Sequence, residues 1–428
     1  MKRLSKSLIL FFMLMVLTLI PAQSSMAASK YPAKVTKLKA KVTSDTSVQL
    51  SWSKVSGATG YSIYSVDTAT GQEKKIATTK STSCVIKNLG IEQTYKFQVY
   101  AYKKVGKKTY KSKSASNAVT IRTKMSVPGA VKNFRVVCYG DESVFLAWSA
   151  ASNADKYIIY KYNAESQTYE KTASTDETNY QVKNLTEGEK YYFKIQAYHA
   201  AQGKEAYGAI SDHISATAKK IDVSAVHGRY LNATVKKSTT VTVKSTGEKM
   251  TLSKGTAIIA TKKGSSTITA MLKNGTQISV KGSNLTYGNL HTTKSTYSTE
   301  QKEAFVNSRG YSSSTNYLIW VNQYTLQTTI FKGSKGAWKV VRTMNCVVGQ
   351  YGKTTQGVFK ILKQRSTLNG RPVIYFTYNS KLKVGNAFHT TFNKYTRAAV
   401  SGGCVRLTPS NLAYLDKTCP VGTTVVSY

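Results

Sequence analysis

Three observations on this 428-residue chain predict a mainly β fold: two tandem β-sandwiches, a small β-barrel, and a C-terminal β-rich domain with short helices. One set of residues recurs at a fixed offset across the first half. Short alternating segments, separated by turn residues, run along most of the remaining length. Helix signals gather in only two short stretches, near residues 299–309 and after Thr408.

The repeat comes first. Pro32, Trp52, Ala58, Tyr61, Leu89, Tyr95 and Ala101 return as Pro128, Trp148, Ala154, Tyr157, Leu185, Tyr191 and Ala197, each 96 residues later. A constant offset over that many positions means two copies of one unit, placed at residues 31–124 and 127–218. Within each copy, segments such as Val48 to Trp52, Tyr61 to Tyr64 and Tyr95 to Ala101 alternate at period two, which buries one face and wets the other. Strands at this spacing predict a sandwich, with Trp52, Tyr61 and Tyr95 in its core. The Trp after a Leu-x pair, the Leu-to-Tyr step and the Tyr-x-Phe-x-Val-x-Ala strand resemble fibronectin type III domains. The resemblance implies a spacer or scaffold role.

Residues 221–287 are rich in Thr, Ser, Lys and Gly. Strand-like pieces lie at Thr240 to Val243, Thr256 to Ile259 and Thr267 to Leu272, and Asn274-Gly275 signals a tight hairpin. This region resembles bacterial SH3-like domains. A connecting helix is placed within 298–310, capped by Ser298 with Gln301 completing a capping box and Gly310 ending it. Its Glu300 and Glu303 are expected to face solvent. Catalytic-domain strands are expected at Tyr317 to Val321, Gln327 to Phe331, Lys339 to Met344, Gly357 to Ile361 and Val373 to Tyr378. Thr408 and Pro409 open a second helix of about two turns.

Chemistry concentrates near the C-terminus. Gly402 and Gly403 precede Cys404, so the backbone can turn sharply there and present N–H groups to a carbonyl oxygen. A thiol needs an imidazole or a positive charge to act as a nucleophile, and His389 stands fifteen residues upstream. From residue 300 the acids are Glu300, Glu303 and Asp416 alone, and none is well placed to orient the imidazole. A neutral acceptor is therefore expected, with the backbone carbonyl of Thr390 as first candidate.

His389 together with Ser401-Gly402-Gly403-Cys404-Val405-Arg406 resembles the signature of YkuD-type L,D-transpeptidases, which cross-link peptidoglycan stem peptides through a cysteine acyl-enzyme. The resemblance covers residues 316–428. It implies Cys404 as nucleophile held as a thiolate against protonated His389, Gly403 in the oxyanion hole, and Ser401, Gly402 and Arg406 around the substrate. It implies 3→3 cross-links, with an L,D-carboxypeptidase of the same fold as the alternative. A non-catalytic wall-binding or adhesion protein is the alternative from another class; the joint presence of Cys404, His389, Ser401 and Arg406 argues against it. This chain departs from the family pattern twice. Gly402 stands where many members carry a second histidine, and Thr354-Thr355-Gln356-Gly357 has Thr355 where proline is usual.

The N-terminus sets the expected address. Lys2, Arg3 and Lys6 precede an apolar run from Leu8 to Ile20 and a small-residue stretch through Ala28, the pattern of a secretory signal spanning residues 1–27. Thirteen apolar residues are short for a membrane span of about 20, so no transmembrane segment is expected in the mature chain. It should be secreted, extracellular and wall-associated. Lys and Arg number 61 against 20 Asp and Glu, a charge that draws a protein to polyanions. Export argues against nucleic acid as partner and for anionic wall polymers such as teichoic acids beside the stem peptides. Five cysteines leave at least one thiol unpaired; Cys346 and Cys419 are the pair that could bridge. No metal and no cofactor are expected.

Overall fold

The computed structural model describes residues 29–223, 226, 228–382, 384–390 and 396–428. The segment read as an export signal lies outside them. The chain divides into two compact units: the described residues through Ser126 together with 200–205, and residues 127–199 together with 206–428.

The first unit holds one sandwich. A sheet of Lys39–Ser44, Ser47–Ser51 and Ser83–Ile86 faces a five-stranded sheet built on Gly60–Val66 and Thr94–Val105. Inward positions alternate as the pattern predicts, and Leu50, Trp52, Tyr61, Ile63, Phe97 and Val99 form the core. The aromatics there hold the sandwich together: Trp52 meets Tyr61 edge-on with centroids 5.3 Å apart, and the Tyr61 hydroxyl accepts the Val55 N–H at 2.9 Å. Tyr95 accepts the Gly90 N–H at 2.7 Å. In the second copy Trp148 meets Tyr157 at 5.4 Å, Tyr157 accepts from Ala151 at 2.9 Å, and Tyr191 accepts from Thr186 at 2.9 Å. The sequence repeat is thus a repeat of ring packing and of the backbone hydrogen bonds that the phenol oxygens accept.

In the region after the sandwiches, seven strands pair antiparallel in one sheet. Their order is Lys249–Leu252, Thr239–Val243, Gln277–Lys281, Thr267–Met271, Ala257–Ala260, Tyr230–Val235 and Leu285–His291. A single sheet enclosing its own core, here Val241, Ile258, Ile268, Ile278 and Leu285 among others, must curl around it. The last strand runs to His291, beyond the end expected from sequence. The Asn274-Gly275 hairpin joins two of these strands.

The C-terminal domain packs two sheets face to face. The five-stranded sheet runs Lys339–Asn345, Gln327–Lys332, Tyr317–Asn322, Thr424–Ser427, Gly357–Lys360. The six-stranded sheet runs Arg365–Leu368, Arg371–Tyr375, Ala387–Thr390, Val405–Leu407, Val347–Gly349, Ala398–Ser401. Ile319, Val321, Ile330, Ile374, Phe388, Val405, Leu407 and Val425 fill the space between them, joined by Leu412 and Leu415 of the helix Pro409–Thr418. Because Tyr317–Asn322 is covered on both faces, its sequence reads as a continuous apolar run; Leu318 and Trp320 point the other way, onto Phe305 and Val306 of the helix Thr299–Ser308.

That helix carries the predicted capping box in full: the Ser298 hydroxyl accepts from the Gln301 N–H at 3.1 Å, and the Gln301 side chain accepts from the Ser298 N–H at 3.0 Å. Its orientation corrects one expectation. Glu303 is 3% exposed; its carboxylate accepts the Val340 N–H at 3.0 Å and pairs with Lys339. The helix is a packed layer on the five-stranded sheet, so a carboxylate three residues after the solvent-facing Glu300 turns inward. The helix after Thr408 has Pro409 in its first turn as expected, but runs ten residues, to Thr418.

Ser298→Ala should lower the hydrogen-exchange protection of the first-turn amides of this helix by about 1 kcal/mol, with the sandwich amides unchanged.

Candidate active site

Two neighbouring strands of the six-stranded sheet bring the candidate residues together. Ala387–Thr390 pairs parallel with Val405–Leu407, and His389 lies opposite Arg406. Phe388, Val405 and Leu407 are core residues. Alternation therefore turns His389 and Arg406 to the other face, and Cys404, just before the second strand, lies near enough to Arg406 to feel its charge. Neither strand is legible in the sequence. Each is too short to establish an alternation.

Cys404 is half-buried. Its Sγ lies 3.7 Å from the Gly385 carbonyl oxygen. Burial pushes the thiol above its ordinary range, and the Ala387 N–H and the Arg406 charge oppose this only in part. His389 is buried, with Nδ1 2.9 Å from the Thr390 carbonyl oxygen. A carbonyl can only accept, so Nδ1 carries the proton and Nε2 is the basic nitrogen. Burial lowers the imidazole pKa, the Thr390 carbonyl raises it, and Arg406 lowers it. The two shifts run in opposite directions, burial opposing the charged form of each group. A carbonyl third partner fixes ring and tautomer without adding the negative charge that would hold an imidazolium.

The loop before Cys404 is tied from inside. Ser401, fully buried, donates its hydroxyl proton to the Cys404 carbonyl at 2.6 Å and accepts the Gly403 N–H at 3.1 Å. Ser401 therefore braces the loop and does not line an open face. The Gly403 N–H, expected at the oxyanion hole, is committed to that bond. Gly403 has φ +137°, and a Cβ there would come within 2.8 Å of Asn386 Nδ2, so this position requires glycine. Gly402 faces open space, with nothing within 4 Å of where a Cβ would stand; a side chain would fit where relatives carry histidine. Arg406 Nε is buried and finds no hydrogen-bond partner among the described residues.

The Thr354-Thr355-Gln356-Gly357 turn lies against the same loop. Thr354 Oγ1 accepts the Gly349 N–H and donates to the Gly403 carbonyl, both at 2.7 Å. Thr355 offers its N–H, at 2.6 Å, and its hydroxyl to Asn386 Oδ1. The proline usual in the family pattern has no N–H to give, so the departure at Thr355 is matched by a partner of its own. Nothing in the sequence marks Asn386, because its role exists only once the turn and the His389 strand meet. The turn is gripped in its own right: Arg229 donates to the Gly352 carbonyl at 2.7 Å, and Asn289 accepts the Tyr351 N–H at 2.8 Å while donating to the Ala399 carbonyl at 3.0 Å. Asp416 is exposed on its helix. All five cysteines are free, Cys346 and Cys419 included.

Because only the thiolate is alkylated, iodoacetamide labelling of Cys404, mapped at the peptide level, should be slow at neutral pH and climb above the ordinary thiol range. A plateau already reached by pH 7 would mean a preformed ion pair.

Family models match residues 33–117 and 129–212 as fibronectin type III domains and residues 316–426 as an L,D-transpeptidase catalytic domain. Among solved structures, a fused Zn-dependent amidase/peptidase/peptidoglycan-binding protein from Clostridium acetobutylicum is 23% identical over 30% of this chain, at a TM-score of 0.25; the match spans 58% of that protein's length. A two-domain fibronectin type III segment of chicken tenascin is 19% identical, covering 44% of this chain and 99% of its own, at a TM-score of 0.24. The chain carries two fibronectin type III domains followed by a YkuD L,D-transpeptidase catalytic domain.

Proposed function

We propose that this chain is an exported peptidoglycan L,D-transpeptidase that forms 3→3 cross-links between stem peptides through a Cys404 thioester. The observation that carries the reading is the parallel strand pair that sets Arg406 opposite His389 and next but one to Cys404, with its charge felt by both, inside a domain of matching family.

The chemistry starts from a neutral thiol and a neutral imidazole. His389 Nε2 takes the Cys404 thiol proton as Sγ attacks the carbonyl of the third stem residue. The oxygen becomes an oxyanion facing the Cys404 N–H. The tetrahedral intermediate collapses, the bond to D-alanine breaks, and His389 returns the proton to the leaving amine. An acceptor-stem amine then attacks the thioester, gives its proton to Nε2, and releases Cys404 as thiol. The unpartnered Arg406 Nε suits a carboxylate or carbonyl oxygen of the donor stem. Export rests on the N-terminal segment, and the sandwiches act as spacers.

Incubation with a purified disaccharide tetrapeptide, followed by intact-protein mass spectrometry, should show an adduct of acyl mass that is lost in Cys404→Ala. Product analysis should show cross-linked dimers in excess of hydrolysed stems; hydrolysed stems alone would sink the transferase assignment. His389→Ala should slow acylation by about two to four orders of magnitude. Since the base must be neutral, kcat/KM should fall only below the ordinary imidazole value of about 6.5, on an acid limb absent from His389→Ala.

A further inference from the structure

We propose that Thr354 is a positioning residue for acylation, which aims the Cys404 N–H by holding the carbonyl at the other end of the same peptide bond. The Gly403 carbonyl and the Cys404 N–H belong to one planar unit, and in a trans peptide they point in opposite directions. No cis peptide bond is present among the described residues. Thr354 Oγ1 donates to that carbonyl at 2.7 Å from a fully buried position. Pulling the oxygen inward turns the N–H outward, toward the face that carries His389 and Arg406.

The hydroxyl's direction is determined by its surroundings. It accepts the Gly349 N–H at 2.7 Å, so its own proton is left for the Gly403 oxygen. A hydrogen bond received at the carbonyl also polarises the peptide unit and makes its N–H a stronger donor. Space is tight enough to keep the arrangement: a Cβ on Gly349 would come within 2.5 Å of the Thr354 nitrogen and 2.9 Å of the Gly403 Cα. The turn just before Thr354 is held by Arg229 and Asn289, which bond the backbone of Gly352 and Tyr351, and Arg229 also donates to the Thr354 carbonyl at 3.4 Å. The other amide of the loop is not available for the task, since Gly403 N–H donates to Ser401.

The proposal rests on the thioester reading above, and its test separates the two. Alkylation by iodoacetamide forms the S–C bond with loss of iodide and develops no oxyanion, whereas acylation does. Both rates are measured at Cys404 on the full chain, as wild type, Thr354→Val and Thr354→Ser. Thr354→Val, nearly isosteric, should acylate with tetrapeptide about 10- to 100-fold more slowly, short of the 10²–10³ seen on deleting an oxyanion donor outright. The loss should fall in kcat with KM held, while alkylation stays at the wild-type rate. Thr354→Ser, which keeps the hydroxyl, should recover most of the acylation. Wild-type acylation by Thr354→Val, or a parallel loss of alkylation, would overturn the positioning role alone. Absence of acylation in wild type would overturn the thioester reading and this proposal with it. If Thr354→Val does not fold, Thr354→Ala against Thr354→Ser decides: equal acylation rates would overturn the role.

Discussion

The parallel pairing of Ala387–Thr390 with Val405–Leu407 is the constraint on which the rest of the site depends. Parallel strands need a crossover between them, and Ala398–Ser401, at the far edge of the same sheet, lies between them in the chain. That path returns the chain to the His389 strand in the register that sets Arg406 opposite His389. A slip of one residue would turn His389 into the core and Phe388 out of it. The apolar layer of Phe388, Val405 and Leu407 thus fixes which residues reach the other face, and packing energy in the core holds the geometry of the chemistry.

Electrostatics then act on a site that packing has already made. Burial raises the Cys404 thiol and lowers the His389 imidazole, so it opposes charge on both groups. Arg406 favours thiolate while disfavouring imidazolium, and it cannot by itself hold the ion pair. The large excess of Lys and Arg over Asp and Glu belongs mainly to the surface.

Much of the fold was legible because its signals are local. A 96-residue offset, alternation on strands of five residues or more, and a capping box at Ser298 all act over short distances. The five-stranded sheet was readable down to four of its members. The six-stranded sheet, apart from the strand beginning at Arg371, was not: Val347–Gly349, Ala387–Thr390 and Val405–Leu407 are three or four residues long and take their structure from their neighbours. Glu303 was misplaced for a related reason, since its burial depends on Lys339 and Val340, which lie far along the chain. Cys404 and His389 stood out by residue type, whereas Thr354, Thr355 and Asn386 are ordinary polar residues whose importance comes from what they touch.

The grip of Arg229 and Asn289 on the turn at Tyr351 and Gly352 gives the seven-stranded region a meaning that its sequence does not advertise. Residue 316, where the family match begins, marks a boundary of ancestry, while the compact unit that holds the catalytic domain reaches back to residue 127. A fragment trimmed to the recognisable module would expose backbone groups that the preceding strands now satisfy. In this chain the portable part is therefore larger than the familiar one, and an exchange of catalytic modules between such proteins would have to carry the neighbouring sheet along.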